Sequence, residues 1–153
     1  MSSESLADYA AQLNKEAGIG IVIMIVVAIV AIVSFFLLIK DGPLDKKEVF
    51  LLSLFVVIEL MAYITTVHPY RADIKDQSYD VYSGKFYVED FYITRNGTDI
   101  FIKHNENEEP QRYKVVARMN HIKEHSVYKG KLVTSRRSKV LLEAVVNEKL
   151  ENK

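Results

Sequence analysis

The sequence predicts an α+β membrane protein in which an N-terminal transmembrane helical hairpin precedes a small, β-rich soluble domain. Residues 19–39 contain no charged side chain, and residues 49–67 contain a single one, Glu59. A helix over the first segment rises about 31 Å, which matches the roughly 30 Å hydrocarbon core of a bilayer. Further along, Asn96-Gly97 separates two stretches rich in aromatic and β-branched residues, which is the pattern of a β-hairpin.

The hairpin and its N-terminal flank are predicted to occupy residues 1–68. Residues 2–17 are predicted to form a short amphipathic helix at the membrane interface, because their apolar side chains fall on one face. Gly18 and Gly20 either kink the junction or let this helix continue into the first span. Small residues recur along one face of the segment 17–31, which predicts the packing face of the first span.

Residues 69–80 are predicted to be a linker, because Pro69 cannot continue a helical hydrogen-bond ladder. The soluble domain follows over residues 81–153. Its predicted strands cover residues 85–94, 98–104, 112–118 and 131–135. Residues 138–150 fit a strand or a helix, since a short apolar run does not distinguish the two.

The sequence lacks the usual signatures of catalysis. It contains no cysteine, which excludes disulfides, thiolate metal sites and thiol nucleophiles. It also contains no glycine-rich phosphate loop and no GxSxG or HExxH motif. His121 and His125 have helical spacing, but no suitable third ligand stands near them, so solvent-facing histidines are favoured over a metal site. We therefore expect a protein that is not an enzyme, with no cofactor and no metal.

The charges flanking the spans do not decide their orientation. The loop between the spans holds three lysines, against four basic residues in the outer flanks. The N-terminus does not have the pattern of a cleavable secretory signal. Together with the missing cysteines, this favours a C-terminal domain on the cytoplasmic side.

The main chemical signal outside the predicted spans is a basic segment over residues 111–139. It carries nine Lys and Arg residues against one acid, Glu124. These charges alternate with strand-forming residues, so they belong to a folded surface that binds an anionic ligand, contacts lipid headgroups or is simply solvated. The candidate ligand-binding residues are Arg112, Lys114, Arg118, His121, Lys123, Lys129, Lys131, Arg136, Arg137 and Lys139.

Arg136 and Arg137 are the strongest candidates within this segment. Adjacent arginines in a turn between two strands can converge on one phosphate, and the planar guanidinium matches phosphate oxygens. We therefore expect this pair to contribute much of the binding. Arg112 and Arg118, on the preceding strand, are the alternative pair.

Glu59 lies near the middle of the second span, where an acid costs about 2.5–3.5 kcal/mol on insertion scales. It shares a helix face with Tyr63 and Thr66. One hypothesis makes Glu59 and Tyr63 a membrane-gating pair that faces a pore in an oligomer. The other is a protonated Glu59 that bonds to Ser34, Tyr63 or a neighbouring subunit.

Two spans (IGIVIMIVVAIVAIVSFFLLI and VFLLSLFVVIELMAYITTV) and a small basic domain (RYKVVARMNHIKEHSVYKGKLVTSRRSK) follow one another in this chain. This layout resembles the small membrane effectors of bacterial type III CRISPR systems. The resemblance implies that a cyclic oligoadenylate, often cyclic tetra-adenylate, binds the cytoplasmic domain in antiviral defence. It further implies a homo-oligomer in the bacterial inner membrane, with a tetramer favoured, that opens a pore or disrupts the lipid bilayer.

A second hypothesis comes from a different functional class. The chain would be a membrane-anchored immunity or phage-exclusion protein that binds a toxin or a phage protein through its β-rich domain. Such a protein needs no basic segment, which makes the nucleotide hypothesis the better match to the charges.

Overall fold

The computed structural model describes residues 3–40, 45–94, 97–105, 107–116 and 122–150. Its elements, in chain order, are α1 Ser3–Lys40, α2 Lys46–Ala62, a π-helical turn Tyr63–Val67, α3 His68–Asp76, β1 Tyr79–Thr94, β2 Gly97–Lys103, β3 Gln111–Val115, β4 Ser126–Ser135 and β5 Val140–Leu150. The chain therefore combines two long apolar helices with a C-terminal five-stranded mixed sheet, as the sequence predicts at this level.

Helix α1 runs without interruption from Ser3 to Lys40, so Gly18 and Gly20 lie inside one continuous helix. Its first turns are not exposed along their apolar stripe. Tyr9 and Leu13 are buried, and both pack on side chains of the β-domain. The sequence predicts that the apolar face of this helix lies on the membrane interface. This is wrong, because that face packs against the β-domain.

The second helical segment does not end at Pro69. The helices α2 and α3 and the π-turn between them follow without a break from Lys46 to Asp76. In the wider π-turn the His68 N–H bonds to the Tyr63 carbonyl, and Pro69 then stands in the first turn of α3, where its missing N–H costs little. The predicted linker over residues 69–80 is therefore mostly helix, followed by the first residues of β1.

Both helical segments are long and apolar enough to cross a membrane. The qualifying stretches are Glu4–Leu37 and Lys46–Asp76, and the most apolar part of each is unburied within the chain. Near the domain end of the hairpin the two segments approach closely, since a Cβ at Gly20 would lie 3.1 Å from Cγ2 of Val67. A glycine at this level lets the two helices meet side by side.

The five strands close into a barrel in the order β1-β2-β3-β5-β4. Neighbouring strands are antiparallel except for β3 and β5, which are parallel. Strand β1 pairs with β4 along its first part and with β2 along its second, and a bulge between Val88 and Asp90 bends it from one to the other. This strand order and these directions are those of the OB-fold, a five-stranded Greek-key barrel.

The strands begin earlier than the sequence predicts. Strand β1 starts at Tyr79 and β4 at Ser126, and the ambiguous residues 138–150 form strand β5. The predicted hairpin is confirmed by the pairing of Thr94 with Gly97. The end of the third predicted strand, residues 117–118, lies outside the described residues.

Two apolar clusters hold the molecule together. The barrel interior is built from the buried residues Phe86, Val88, Ile100, Ile102, Tyr113, Tyr128, Leu132 and Leu141. The second cluster lies outside the barrel wall, where Tyr9 and Leu13 of α1 pack on Val133, Val140 and Leu142. Because α1 covers this surface, the second cluster joins the helices to the outside of the barrel.

The close pairing of β4 and β5 requires a glycine at position 130. A Cβ at this position would lie 2.1 Å from the main-chain carbonyl oxygen of Val145. We expect Gly130→Ala to lower the free energy of unfolding by about 3 kcal/mol, the upper end of overpacking costs, because backbone cannot move aside as a side chain can. Chemical denaturation of the detergent-solubilised chain measures this loss.

Gly18→Ala is the matched control for this substitution. A Cβ at Gly18 meets no atom within 4 Å, and the residue lies inside helix α1. Alanine should therefore stabilise the chain by about 0.5–1 kcal/mol through helix propensity. Equal effects of the two substitutions would show that the β4–β5 contact is not as close as described.

Candidate functional site

The basic segment does not form one continuous patch. Five of its side chains pair with carboxylates from other parts of the described chain. These pairs are Arg112–Asp99 at 2.6 Å, Lys114–Glu16, Lys131–Glu143 at 3.4 Å, Arg136–Asp80 at 2.6 Å and Arg137–Asp76 at 2.5 Å. Residues 111–139 therefore have an excess of positive charge only along the sequence. In the folded chain, acids from other segments pair with most of these cations.

The remaining candidate residues are scattered. Lys123, Lys129 and Lys139 are exposed, and none of the three has an ion pair among the described residues. Arg118 and His121 lie outside the described residues. Within the described part of the chain, no group of three or more His, Asp and Glu side chains could hold a metal ion.

Arg136 and Arg137 lie in the turn between β4 and β5, as the sequence predicts, but their side chains separate. Arg136 donates from Nε and Nη2 to Asp80, whereas Arg137 donates from Nη1 to Asp76. Each guanidinium is thus held by a different carboxylate on a different element. In this arrangement the two side chains do not converge on one phosphate.

Asp73 of α3 holds the same turn through hydrogen bonds. Nothing in the sequence singles out this residue. Its carboxylate is fully buried and accepts hydrogen bonds from the main-chain N–H groups of Arg137 and Ser138 at 2.8–3.1 Å. It also accepts a bond from the Ser138 hydroxyl at 2.8 Å. An acid in an expected linker gives no sign of this role, because its partners are 64 and 65 residues away.

Strands β1, β2 and β3 present an outer face that combines aromatic rings with cations. Tyr92 and Phe101 lie edge to face, with ring centroids 5.4 Å apart. Lys103 Nζ lies 6.0 Å from the ring centroid of Tyr87. Arg112 stands directly opposite Phe101 in the β2–β3 register, which puts both side chains on this outer face. We call these five residues the aromatic–basic face.

The cations of the aromatic–basic face are positioned by carboxylates yet remain partly available. Asp99 is nearly buried and accepts one hydrogen bond from Arg112, whose side chain is 66% exposed. Within the described part of the chain, the other N–H donors of that guanidinium make no hydrogen bond. Glu89 holds Lys103 at 3.1 Å in the same way. A planar ring can stack on the exposed Tyr92 and the half-buried Phe101 while Arg112 reaches an anionic oxygen.

The polar side chains of the second apolar helix differ in how they are satisfied. Ser53 donates to the Val49 carbonyl and Thr65 to the Met61 carbonyl, both at 2.9 Å, so their hydroxyls are used by their own helix. Glu59 is half-buried, and its carboxylate has no hydrogen bond or ion pair with any residue that the structure describes. The expected bonds from Glu59 to Ser34 or Tyr63 are therefore absent in the single chain.

Direct contacts join the helices to the barrel. The Tyr9 hydroxyl donates to Glu143 of β5, and its ring meets Tyr79 of β1 edge to face at 5.6 Å. Burial, followed by the bond to Glu143, raises the pKa of Tyr9 well above its usual range, so the hydroxyl keeps its proton. Lys114 of β3 bonds to Glu16, which lies about two turns after Tyr9 in α1.

No protein family, curated protein or solved structure matches this chain.

Proposed function

We propose that this chain is a membrane effector whose two apolar helices cross the bacterial inner membrane and whose cytoplasmic barrel binds an anionic nucleotide. The exposed apolar side chains support the membrane placement. Large residues such as Val30 and Phe36 on α1 are more than 60% exposed, and so are Phe50 and Val56 on α2. Water would penalise so much apolar surface, whereas lipid accommodates it.

The observation that carries the nucleotide proposal is the aromatic–basic face. Aromatic side chains that stack on bases, together with cations that reach phosphates, are the means by which OB-fold barrels bind single-stranded nucleic acids. In this chain Tyr92 and Phe101 would provide the stacking surface and Arg112 the phosphate contact. The site differs from the predicted Arg136–Arg137 pair and uses the alternative strand that carries Arg112.

The ligand class follows from the resemblance to the CRISPR-associated membrane effectors. A cyclic oligoadenylate, with cyclic tetra-adenylate as the leading candidate, offers both stackable bases and phosphates to such a face. The proposed role is binding without catalysis, in antiviral defence. Binding would shift the barrel relative to the membrane and so trigger pore opening or disruption of the bilayer.

The path from the barrel to the membrane is short in this proposal. Helix α1 continues from its barrel contacts into the first apolar segment, and α3 continues the second one. A rotation of the barrel would therefore tilt both helices, because Tyr9 and Asp73 attach it to each of them. One hairpin cannot enclose a pore, so the proposal requires a homo-oligomer, with a tetramer favoured.

The membrane-anchored immunity or exclusion protein stays as a second candidate. The observation that favours it is the pairing of Arg136 and Arg137 with Asp80 and Asp76, since a neutralised surface suits a protein partner better than a polyanion.

We expect the full-length protein in nanodiscs to bind cyclic tetra-adenylate, with an affinity that falls as salt rises. Phe101→Ala and Arg112→Ala should each weaken binding roughly tenfold or more, because stacking contributes about 1–3 kcal/mol per base and a bond to a charged group a similar amount. The double variant Arg136→Ala/Arg137→Ala is the matched control and should bind almost normally. Isothermal titration calorimetry measures all three.

Two results of this titration would be decisive. Absence of heat with cyclic oligoadenylates of every ring size would reject the nucleotide ligand and leave the protein-binding candidate. Loss of binding only in the Arg136→Ala/Arg137→Ala variant would move the site to the β4–β5 turn.

A further inference from the structure

The most exposed apolar side chain outside the two apolar segments is near the end of β1. Ile93 is 88% exposed, whereas the other exposed large apolar residues of the described barrel, Tyr92, Val81 and Val145, lie between 41% and 54%. Ile93 stands opposite Thr98, next to the turn that joins β1 to β2. Ile93 belongs neither to the barrel core nor to the cluster between α1 and the barrel.

Contacts with α1 place this turn at the level where the first apolar segment begins. Glu16 precedes Ile19, where the first apolar segment begins, by about 4.5 Å along the helix axis. Lys114 bonds to Glu16. A Cβ at Gly97, the first residue of β2, would lie 3.6 Å from Cε of Lys114. The side chains of Lys114 and Glu16 therefore connect the start of β2 to α1 just before the first apolar segment begins.

A second set of contacts gives the same level. Tyr70 lies in the first turn of α3, close to the end of the second apolar segment. A Cβ at Gly20 of α1 would lie 3.1 Å from Cγ2 of Val67, so the second apolar segment ends at the level where the first one begins. Both apolar segments thus end beside this hairpin.

We propose that the β1–β2 hairpin docks on the surface of the bilayer that holds the two helices, with the Ile93 side chain below the headgroups. This inference rests on the membrane placement in the proposed function. The occupant is lipid, because the exposed side chain lies level with the helix ends where the hydrocarbon core begins. An isoleucine at that depth exchanges water for acyl chains, which is favourable for an apolar side chain.

This contact would give the barrel a third point of attachment. Helices α1 and α3 hold it through Tyr9 and Asp73, and the hairpin would hold it through the lipid surface beside them. The aromatic–basic face would then rise directly from the membrane surface, since Tyr92 and Phe101 belong to the same two strands.

The absence of native cysteine allows a direct test. Full-length Ile93→Cys, labelled with an environment-sensitive fluorophore and reconstituted in phosphatidylcholine–phosphatidylglycerol vesicles, should be quenched by spin-labelled lipids. Its quenching by aqueous iodide should be several-fold weaker than that of Val81→Cys, an apolar control earlier on the same strand. Val30→Cys, inside the first apolar segment, is the control for membrane insertion.

Each outcome separates the two proposals. If Val30→Cys is quenched by lipid but Ile93→Cys behaves like Val81→Cys, the hairpin contact is wrong and the membrane placement stands. If Val30→Cys is not quenched by lipid, both fall. Shielding of Ile93→Cys that disappears as the protein is diluted in lipid would identify a second copy of the chain as the occupant and overturn the lipid contact.

Discussion

Asp73→Ala should lower the free energy of unfolding of the full-length chain by about 3–5 kcal/mol. The substitution removes a buried carboxylate and leaves the main-chain N–H groups of Arg137 and Ser138 without their acceptor. Unsatisfied buried donors cost about 1–3 kcal/mol each, and removing one member of a buried charged network costs a similar total. Thermal unfolding in detergent should show a midpoint lowered by roughly 6–20 °C for a chain of this size.

Asp76→Ala is the matched control, one turn further along the same helix. Asp76 makes an exposed ion pair with the Arg137 side chain, and both partners are more than 40% exposed. Exposed pairs of this kind contribute about 0–1 kcal/mol. If the two substitutions destabilise the chain equally, Asp73 does not hold the β4–β5 turn as the contacts indicate.

The same substitution also tests the coupling in the proposed function. Asp73 is the link between α3 and the turn that leads into β5. In a variant that stays folded at reduced temperature, ligand binding should persist, because the aromatic–basic face lies on other strands. Ligand-dependent membrane permeabilisation should fall, since the barrel would no longer move α3 with it.

The parts of the fold that depend on local composition could be predicted from the sequence. Uncharged runs of span length indicate long apolar helices, and Asn96-Gly97 predicts the β1–β2 hairpin, because this dipeptide is typical of tight turns between strands. Residues 138–150 stayed ambiguous because their apolar side chains fit both helical and strand periods. The barrel contacts around β5 decide in favour of the strand, and such contacts are not local.

The candidate site was harder to predict because charge pairing is non-local. The basic segment looks uncompensated in the sequence, yet Glu16 on α1 and Asp99 on β2 bond to two of its cations. Phe101 gave no functional signal in the sequence, since an aromatic residue in a strand is most often core. Only the register that buries Ile100 and Ile102 shows that Phe101 faces outward.

Glu59→Leu should abolish activity without changing ligand affinity. In the single chain the Glu59 carboxylate has no bonding partner among the described residues, and in lipid an unpartnered acid at this depth costs about 2.5–3.5 kcal/mol. A neighbouring subunit or a water path would remove that cost. Glu59 is therefore expected to face the interior of the proposed oligomer, together with Tyr63 on the same helix face.

The expected result has three parts. The Glu59→Leu variant should reach the membrane at normal levels, because leucine inserts more readily than glutamate. It should bind ligand normally, since the aromatic–basic face belongs to the barrel. It should fail to permeabilise cells when ligand is present, as measured by uptake of a membrane-impermeant dye.

Glu59→Gln is the matched control, because it keeps the size and hydrogen-bonding capacity but removes the charge. Activity retained in Glu59→Gln and lost in Glu59→Leu would identify a hydrogen bond between subunits, whereas loss in both would identify the charge itself. Ligand-dependent dye uptake equal to wild type in Glu59→Leu would contradict the gating role. Gating would then have to depend on the close approach of the helices at Gly20 and Val67, at the ends of the two apolar segments nearest the barrel.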